Sequence, residues 1–146
     1  MNNKSDLSLL SQHDAVKLLR QHQISPTRQR LAIARIILSK KQHLSADVLR
    51  DQLMQCHFSV AKATIYNTLS LFVEKGLLQQ LNLDHERVFY DSNTAVHHHF
   101  YHVDDAQLSD VSINDISLNK MVNLPEGTCL ERIDVVVRIK NVAESN

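Results

Sequence analysis

Lys62–Ala63–Thr64–Ile65–Tyr66–Asn67–Thr68–Leu69–Ser70–Leu71–Phe72, followed shortly by Gly76, is the stretch on which the fold turns. Ile65, Leu69 and Phe72 recur at i, i+4 and i+7, which is one stripe of an α-helix. Ala63, Tyr66, Asn67 and Ser70 fall on the opposite side. The pattern predicts a helix capped by Ser59 and running to Lys75, with Gly76 in the left-handed C-terminal position. Small, hydroxyl and amide side chains behind Lys62 suit a major groove, where donors and acceptors meet base edges and phosphates. An ordinary solvated face looks the same in isolation, so the flanking chain decides.

Toward the N-terminus, residues 1–10 are expected to fray. Ser11, with Asp14 three residues on, starts a helix whose apolar positions are Ala15, Val16, Leu18 and Leu19 and which ends near His22. Pro26 breaks it and suits the first turn of a second helix. That helix carries Arg28, Arg30 and Arg35 on its polar side and Leu31, Ala34, Ile37 and Leu38 on the other, stopping around Lys40 and Lys41. Ser45 caps a third, with Val48, Leu49 and Leu53 as its buried stripe. Beyond Gly76, runs at 77–83 and 87–91 flank Asp84, His85 and Glu86 as a hairpin. Helices, then a reading helix, then a hairpin give the order of a winged helix, whose wing brings Arg87 to the nucleic-acid backbone.

The remainder is of another kind. Residues 100–103 and 107–113 read as strands about an Asp104–Asp105 turn, 115–122 as a short helix, and 131–140 as a strong strand with Val135, Val137 and Ile139 on one face. About fifty residues with so little helix cannot close a core alone, so this half is expected to pair with a second copy.

The composition fits this division. Net charge is zero over 146 residues, yet from His13 to Leu83 there are ten Lys/Arg against four Asp/Glu, and from Thr94 onward four against eight. The first half therefore attracts phosphate although the whole chain is neutral. No apolar run approaches the ~20 residues of a membrane span, and nothing resembles a signal peptide, so a cytoplasmic protein without membrane partners is expected. Cys56 and Cys129 lack any C-x-x-C partner, which excludes a tetracysteine zinc site.

Val96–His97–His98–His99–Phe100–Tyr101–His102 holds four of the nine histidines, at the junction of the two halves. In an extended chain His97 and His99 point to one side, ~6.5–7 Å apart, and His98 points away. Two imidazoles so placed suit one metal ion or a haem, with Phe100 and Tyr101 to cover the porphyrin. Imidazole binds metal in its neutral form, so occupancy should fall as pH drops through the histidine pKa. A surface cluster without a ligand is the alternative, and His13, His22, His57 and His85 read as scattered surface residues.

Four pieces in order, Pro26–Thr27–Arg28–Gln29–Arg30, His43–Leu44–Ser45–Ala46–Asp47, Ala63–Thr64–Ile65–Tyr66–Asn67–Thr68–Leu69 with Gly76–Leu77–Leu78, and the histidine run, resemble the ferric uptake regulator (Fur) family of bacterial metalloregulatory repressors. The resemblance covers about residues 18–140. Within the family the chain is most similar to the iron response regulator (Irr) branch, through residues 25–30, 97–101 and 132–138; such proteins lack C-x-x-C and bind haem at a histidine motif. The resemblance implies that the helix of Tyr66 enters the major groove, that a homodimer reads a pseudo-palindromic, AT-rich operator in double-stranded DNA, and that metal ligands fall on His43 and His99 with His97 and His98 nearby. In the wing strand, where the family often has a carboxylate, this chain has Tyr90.

The combined expectation is an α+β protein: a flexible tail at 1–10, a winged-helix DNA-binding domain at 11–93 (helical bundle plus hairpin wing), and a small α/β dimerisation and effector-sensing domain at 94–146. DNA contacts are assigned to Thr27, Arg28, Arg30, Lys62, Ala63, Thr64, Tyr66, Asn67 and Arg87. The effector is haem or a divalent metal (Fe2+, Mn2+ or Zn2+), and the function is repression of iron or haem homeostasis genes. A peroxide-responsive or Fe/Mn/Zn-responsive repressor of the same type is the nearer alternative. A small metal-dependent hydrolase using the histidines with Asp91, Asp104 or Asp105 is the remote one, because no H-E-x-x-H, phosphate loop or nucleophile accompanies them.

Overall fold

Each of the first three helices begins where a hydroxyl is available to its first turn. Ser11 accepts from the Asp14 N–H at the start of α1 (Gln12–Gln21), Thr27 from Arg30 at the start of α2 (Arg28–Ile37), and Ser45 from Val48 at the start of α3 (Ala46–Gln55). α4 (Lys62–Glu74) differs, because its cap is Ala61 and no side chain closes its first turn. The expected Ser59 cap is thus wrong: Ser59 lies three residues before the helix begins, out of reach of its first N–H groups. Pro26 likewise precedes the Thr27 cap rather than entering the first turn, and α2 ends at Ile37, short of the lysines.

The structure, a computed structural model, describes residues 7–83, 87–118 and 122–143. It divides after Thr94 into two compact units. In the first, three helices end alike. Gln23, His57 and Gly76 take positive φ of 59°, 57° and 81°. The N–H two residues past each cap (Ile24, Phe58, Leu77) returns to a carbonyl of the last turn (Leu19, Leu53, Phe72) at 2.8–2.9 Å. This is the Schellman arrangement, which satisfies carbonyls that a helix end would otherwise leave open.

The helices enclose one core. Leu19, Ile33, Ile37, Leu49, Leu53, Ile65, Leu69 and Phe72 are its fully buried large residues. Val48, expected in the stripe, is exposed at 43%, and Ala46 takes its place because the buried arc of α3 runs 46, 49, 53. Nor is all of the tail loose. The Leu10 N–H donates to Arg35 O and the Arg35 Nε to Leu10 O, both at 2.8 Å, fixing residue 10 against α2; residues 1–6 lie outside the described residues.

β2 (Gln79–Asn82) and β3 (Val88–Asp91) form the expected antiparallel pair, from Gln79 opposite Asp91 to Asn82 opposite Val88. Their connection, Asp84–Glu86 with His85, lies outside the described residues. A strand the sequence did not announce, β1 (His43–Leu44), pairs antiparallel with β3 and sets His43 opposite Asp91. Ser92 secures this junction: its Oγ accepts from the Gln42 N–H and donates to Lys40 O.

In the second unit, β4 (His98–His102) and β5 (Gln107–Val111) are antiparallel about a turn at 103–106, and β6 (Val136–Ile139) lies parallel on the other side of β4. The last strand has four residues, less than half the length expected at 131–140; at 133–139 the odd residues are the less exposed, so the alternation was legible but the pairing was not. Within the expected helix at 115–122, residues 116–118 are not helical and 119–121 lie outside the described residues. A single 3-10 turn, Ile113–Asp115, stands just before, capped by Ser112. The fold is α+β, a helical unit with a three-stranded sheet and a unit built on a second one.

Candidate functional site

α4 turns Ile65, Thr68, Leu69 and Phe72 inward and leaves Lys62, Ala63, Tyr66 and Asn67 exposed. Its uncapped first turn adds the positive end of the helix dipole to the charge of Lys62, a combination suited to a phosphate. The Lys62 ammonium lies 6.0 Å from the centre of the Tyr66 ring, one turn along. Beside it, Thr27, Arg30, Thr64 and Asn67 line one shallow depression of about 270 Å³, so the start of α2 and the first half of α4 present a joint surface. Arg30 Nη1 donates to Ser25 O at 3.1 Å, and the Arg28 guanidinium lies 5.1 Å over the Phe58 ring. Arg87 is exposed at the foot of β3. The buried Tyr90 on the same strand has its phenol pKa raised above 10.0, first by burial and then by Tyr66.

A carboxylate–histidine pair sits at the other end of the wing strand. His43 Nε2 is 3.1 Å from Asp91 Oδ2, with the Asp91 side chain fully buried. The second carboxylate oxygen accepts from the Asn93 N–H at 2.8 Å, which orients the group. The strand that carries Tyr90 thus ends in a carboxylate, Asp91, which β1 sets against His43, a juxtaposition that periodicity alone could not reveal.

In the second unit the strand alternation holds. His97 and His99 share a face, with ring centroids 4.5 Å apart. Asp110 meets both: its Oδ1 is 3.3 Å from His97 Nε2 and 3.9 Å from His99 Nε2. His97 Nδ1 lies 2.5 Å from Ala95 O and, since a carbonyl only accepts, must carry the proton. Its Nε2 is then the atom that faces the carboxylate oxygen, and either a proton or a metal ion can lie between the two. The donor atoms of His97, His99 and Asp110 lie within 4.8 Å of one another. Two imidazoles and a carboxylate match the preferences of Mn2+, Fe2+ and Zn2+, so these residues fit such an ion.

His98 points the other way, and its Nδ1 accepts the Val135 N–H at 3.2 Å. All three histidines are buried, at 6%, 6% and 1% exposure, so they are not a surface cluster. Phe100 falls on the His98 face and Tyr101 on the His99 face, so the two rings do not cover a single porphyrin face as expected. Asp110 went unnoticed in the sequence. Its signal was the hairpin register, for a turn centred on Asp104 and Asp105 sets His99 opposite Asp110.

Residues 21–136 match the ferric uptake regulator family. Over 86 residues the chain is 34% identical to the peroxide-responsive repressor PerR of Staphylococcus aureus strain Mu50, covering 59% of this chain and 58% of that one, so it spans less than two thirds of this relative. The ferric uptake regulator of Pseudomonas aeruginosa with manganese superposes with a TM-score of 0.65 at 22% identity, over 86% of this chain and 96% of that one. The ferric uptake regulator of Francisella tularensis with iron gives 0.65 at 22%, over 80% and 91%. At these identities the superpositions establish the fold.

Proposed function

Since the chain belongs to the ferric uptake regulator family, we propose that it is a metal-responsive, DNA-binding transcriptional repressor rather than an enzyme. The observation that carries this is the His97–His99–Asp110 set, in which two buried imidazoles and a carboxylate open to solvent bring three donor atoms within 4.8 Å of one another, an arrangement that suits a divalent ion. His43 and Asp91 supply the corresponding donors of the first unit. The ion would supply positive charge between the imidazoles and the carboxylates; the chain's part is to aim the donor groups. His97 does this through Ala95, and Asp91 through Asn93.

DNA contact is the work of Lys62, Ala63, Thr64, Tyr66 and Asn67 on α4, of Thr27, Arg28 and Arg30 at the start of α2, and of Arg87 on the wing. A homodimer presents two such surfaces to a pseudo-palindromic, AT-rich operator. Phe100, Val103, Ile113, Leu118 and Val136 are exposed apolar groups of the second unit, which supports a second copy as their cover.

Haem, the other effector that the Irr likeness implies, needs an open face. The near-complete burial of His97 and His99 favours a bare ion. A peroxide response is the second reading, supported by the likeness to PerR. The deciding experiment titrates purified protein with Mn2+, Fe2+, Zn2+ and haem in turn, following operator binding by fluorescence anisotropy. At least a tenfold gain in affinity with one divalent ion, lost on His97→Ala/His99→Ala, is expected. Equal affinity with and without every effector would sink the metal-responsive reading. Loss of the gain on peroxide treatment of the Fe2+ form alone would favour the second one.

A further inference from the structure

The middle histidine of the run has a part that the metal set does not use. An N–H donor requires a bare lone pair on its acceptor, so the bond from the Val135 N–H fixes His98 as the tautomer protonated at Nε2. One nitrogen is occupied by the backbone and the other by its own proton, which leaves no lone pair for an ion. The carbonyl of the same Val135 accepts from the His99 N–H at 3.1 Å. Both backbone groups of Val135 are thus held by two consecutive residues of β4, and β6 begins with the next residue, Val136 opposite His99.

β6 needs such an anchor. It is a four-residue edge strand of the sheet, arriving parallel after a long connection, with residues that alternate between exposed and half-buried. Strands of this kind lie at the low-stability end of a fold and respond to local ordering. His97 and His99, on either side of His98, are the residues an ion would grip. Restraining them restrains the ring between them, and with it the amide and carbonyl of Val135.

We propose that His98 is a positioning residue that transmits metal capture by His97 and His99 to β6, so that the run carries ligands on one face and a strand anchor on the other. This rests on the metal reading above. It adds that His98 is outside the ligand set and that β6 is the element the ion orders.

The test is hydrogen exchange of the amides at 135–139 in the full chain, without metal and with Zn2+ alone, for the wild type, His98→Leu and His98→Asn, beside the Zn2+ stoichiometry of each. The asparagine side chain offers a carbonyl oxygen near the position of Nδ1, whereas leucine offers no acceptor. Zn2+ should slow exchange at 135–139 at least tenfold in the wild type and in His98→Asn. In His98→Leu these amides should exchange at least tenfold faster and lose the response, with Zn2+ stoichiometry unchanged. A lower stoichiometry in His98→Leu makes His98 a ligand and overturns the proposal. Equal exchange in His98→Leu and wild type overturns it as well, and so does a wild type that binds Zn2+ without any slowing at 135–139. A wild type that binds no Zn2+ instead defeats the metal reading, and transmission with it. If His98→Leu fails to fold, the wild-type response and its retention in His98→Asn decide.

Discussion

In the first unit a single cluster of buried apolar residues runs from Ala15 to Tyr90; in the second, among the described residues, the buried apolar side chains are Tyr101 and Val111, in company with His97, His98 and His99. One unit is specified by packing and the other by polar groups that want a partner. The difference teaches where an effector can act. Free energy from a bound ion, or from a second copy, is a small addition to a closed hydrophobic core but a large share of the stability of a short three-stranded sheet. The unit with the poorer core is therefore the one placed to respond.

The largest test of this contrast is a core truncation. Phe72→Ala should cost about 3–5 kcal/mol in denaturant unfolding, while Val136→Ala in the second unit should cost less than about 1. Comparable losses would erase the distinction. Next comes the ion: at a hundredfold excess over its dissociation constant, Zn2+ should stabilise the unit that binds it by about 2.7 kcal/mol, and His97→Ala/His99→Ala should abolish the shift in the calorimetric transition. Lys62→Ala or Tyr66→Ala should weaken operator binding by about 1–3 kcal/mol and leave Zn2+ affinity as it was, because neither side chain is among the proposed metal donors. Ser45→Ala should lower the stability of the first unit by about 1 kcal/mol through loss of the α3 cap. Smallest of all, Gln23→Gly or His57→Gly should raise it by about 0.5 kcal/mol, since each side chain is held at positive φ.

What the sequence made legible was local. The Ser11 and Ser45 caps act within three residues, and the stripe of Ile65, Leu69 and Phe72 within two turns, so the starts of α1 and α3 and the core face of α4 could be read directly, whereas the Thr27 cap of α2 and the uncapped start of α4 at Ala61 could not. The end of α1 near His22 was legible too, but the left-handed residues at Gln23 and His57 were not, because neither is the glycine that announces such a turn at Gly76. β1 is two residues long and carries no periodicity. The face of α3 was misread at Val48 because its arc is set by neighbours rather than by its own pattern.

The site divided in the same way. The surface residues of α4 and the side on which His97 and His99 lie follow from helical and strand periods. Asp91 and Asp110 do not, because each becomes a donor only when another strand is laid against its own, Asp91 by β1 and Asp110 through pairing with β4. Pairing register is a long-range property, and the turn at 103–106 was the single local clue to it.

One consequence of the short β1–β3 pairing concerns mechanics. Asp91 is the last residue of the wing strand, and Val88–Asp91 is hydrogen-bonded along its length to Gln79–Asn82. The ribbon is thus held to β1 at its Asp91 end, opposite His43, with Leu83 and Arg87, joined by a backbone hydrogen bond, at its far end. A tilt at that attachment carries the hydrogen-bonded ribbon with it. A fluorophore at residue 87 would therefore serve as a gauge of what happens at residue 91, read without DNA.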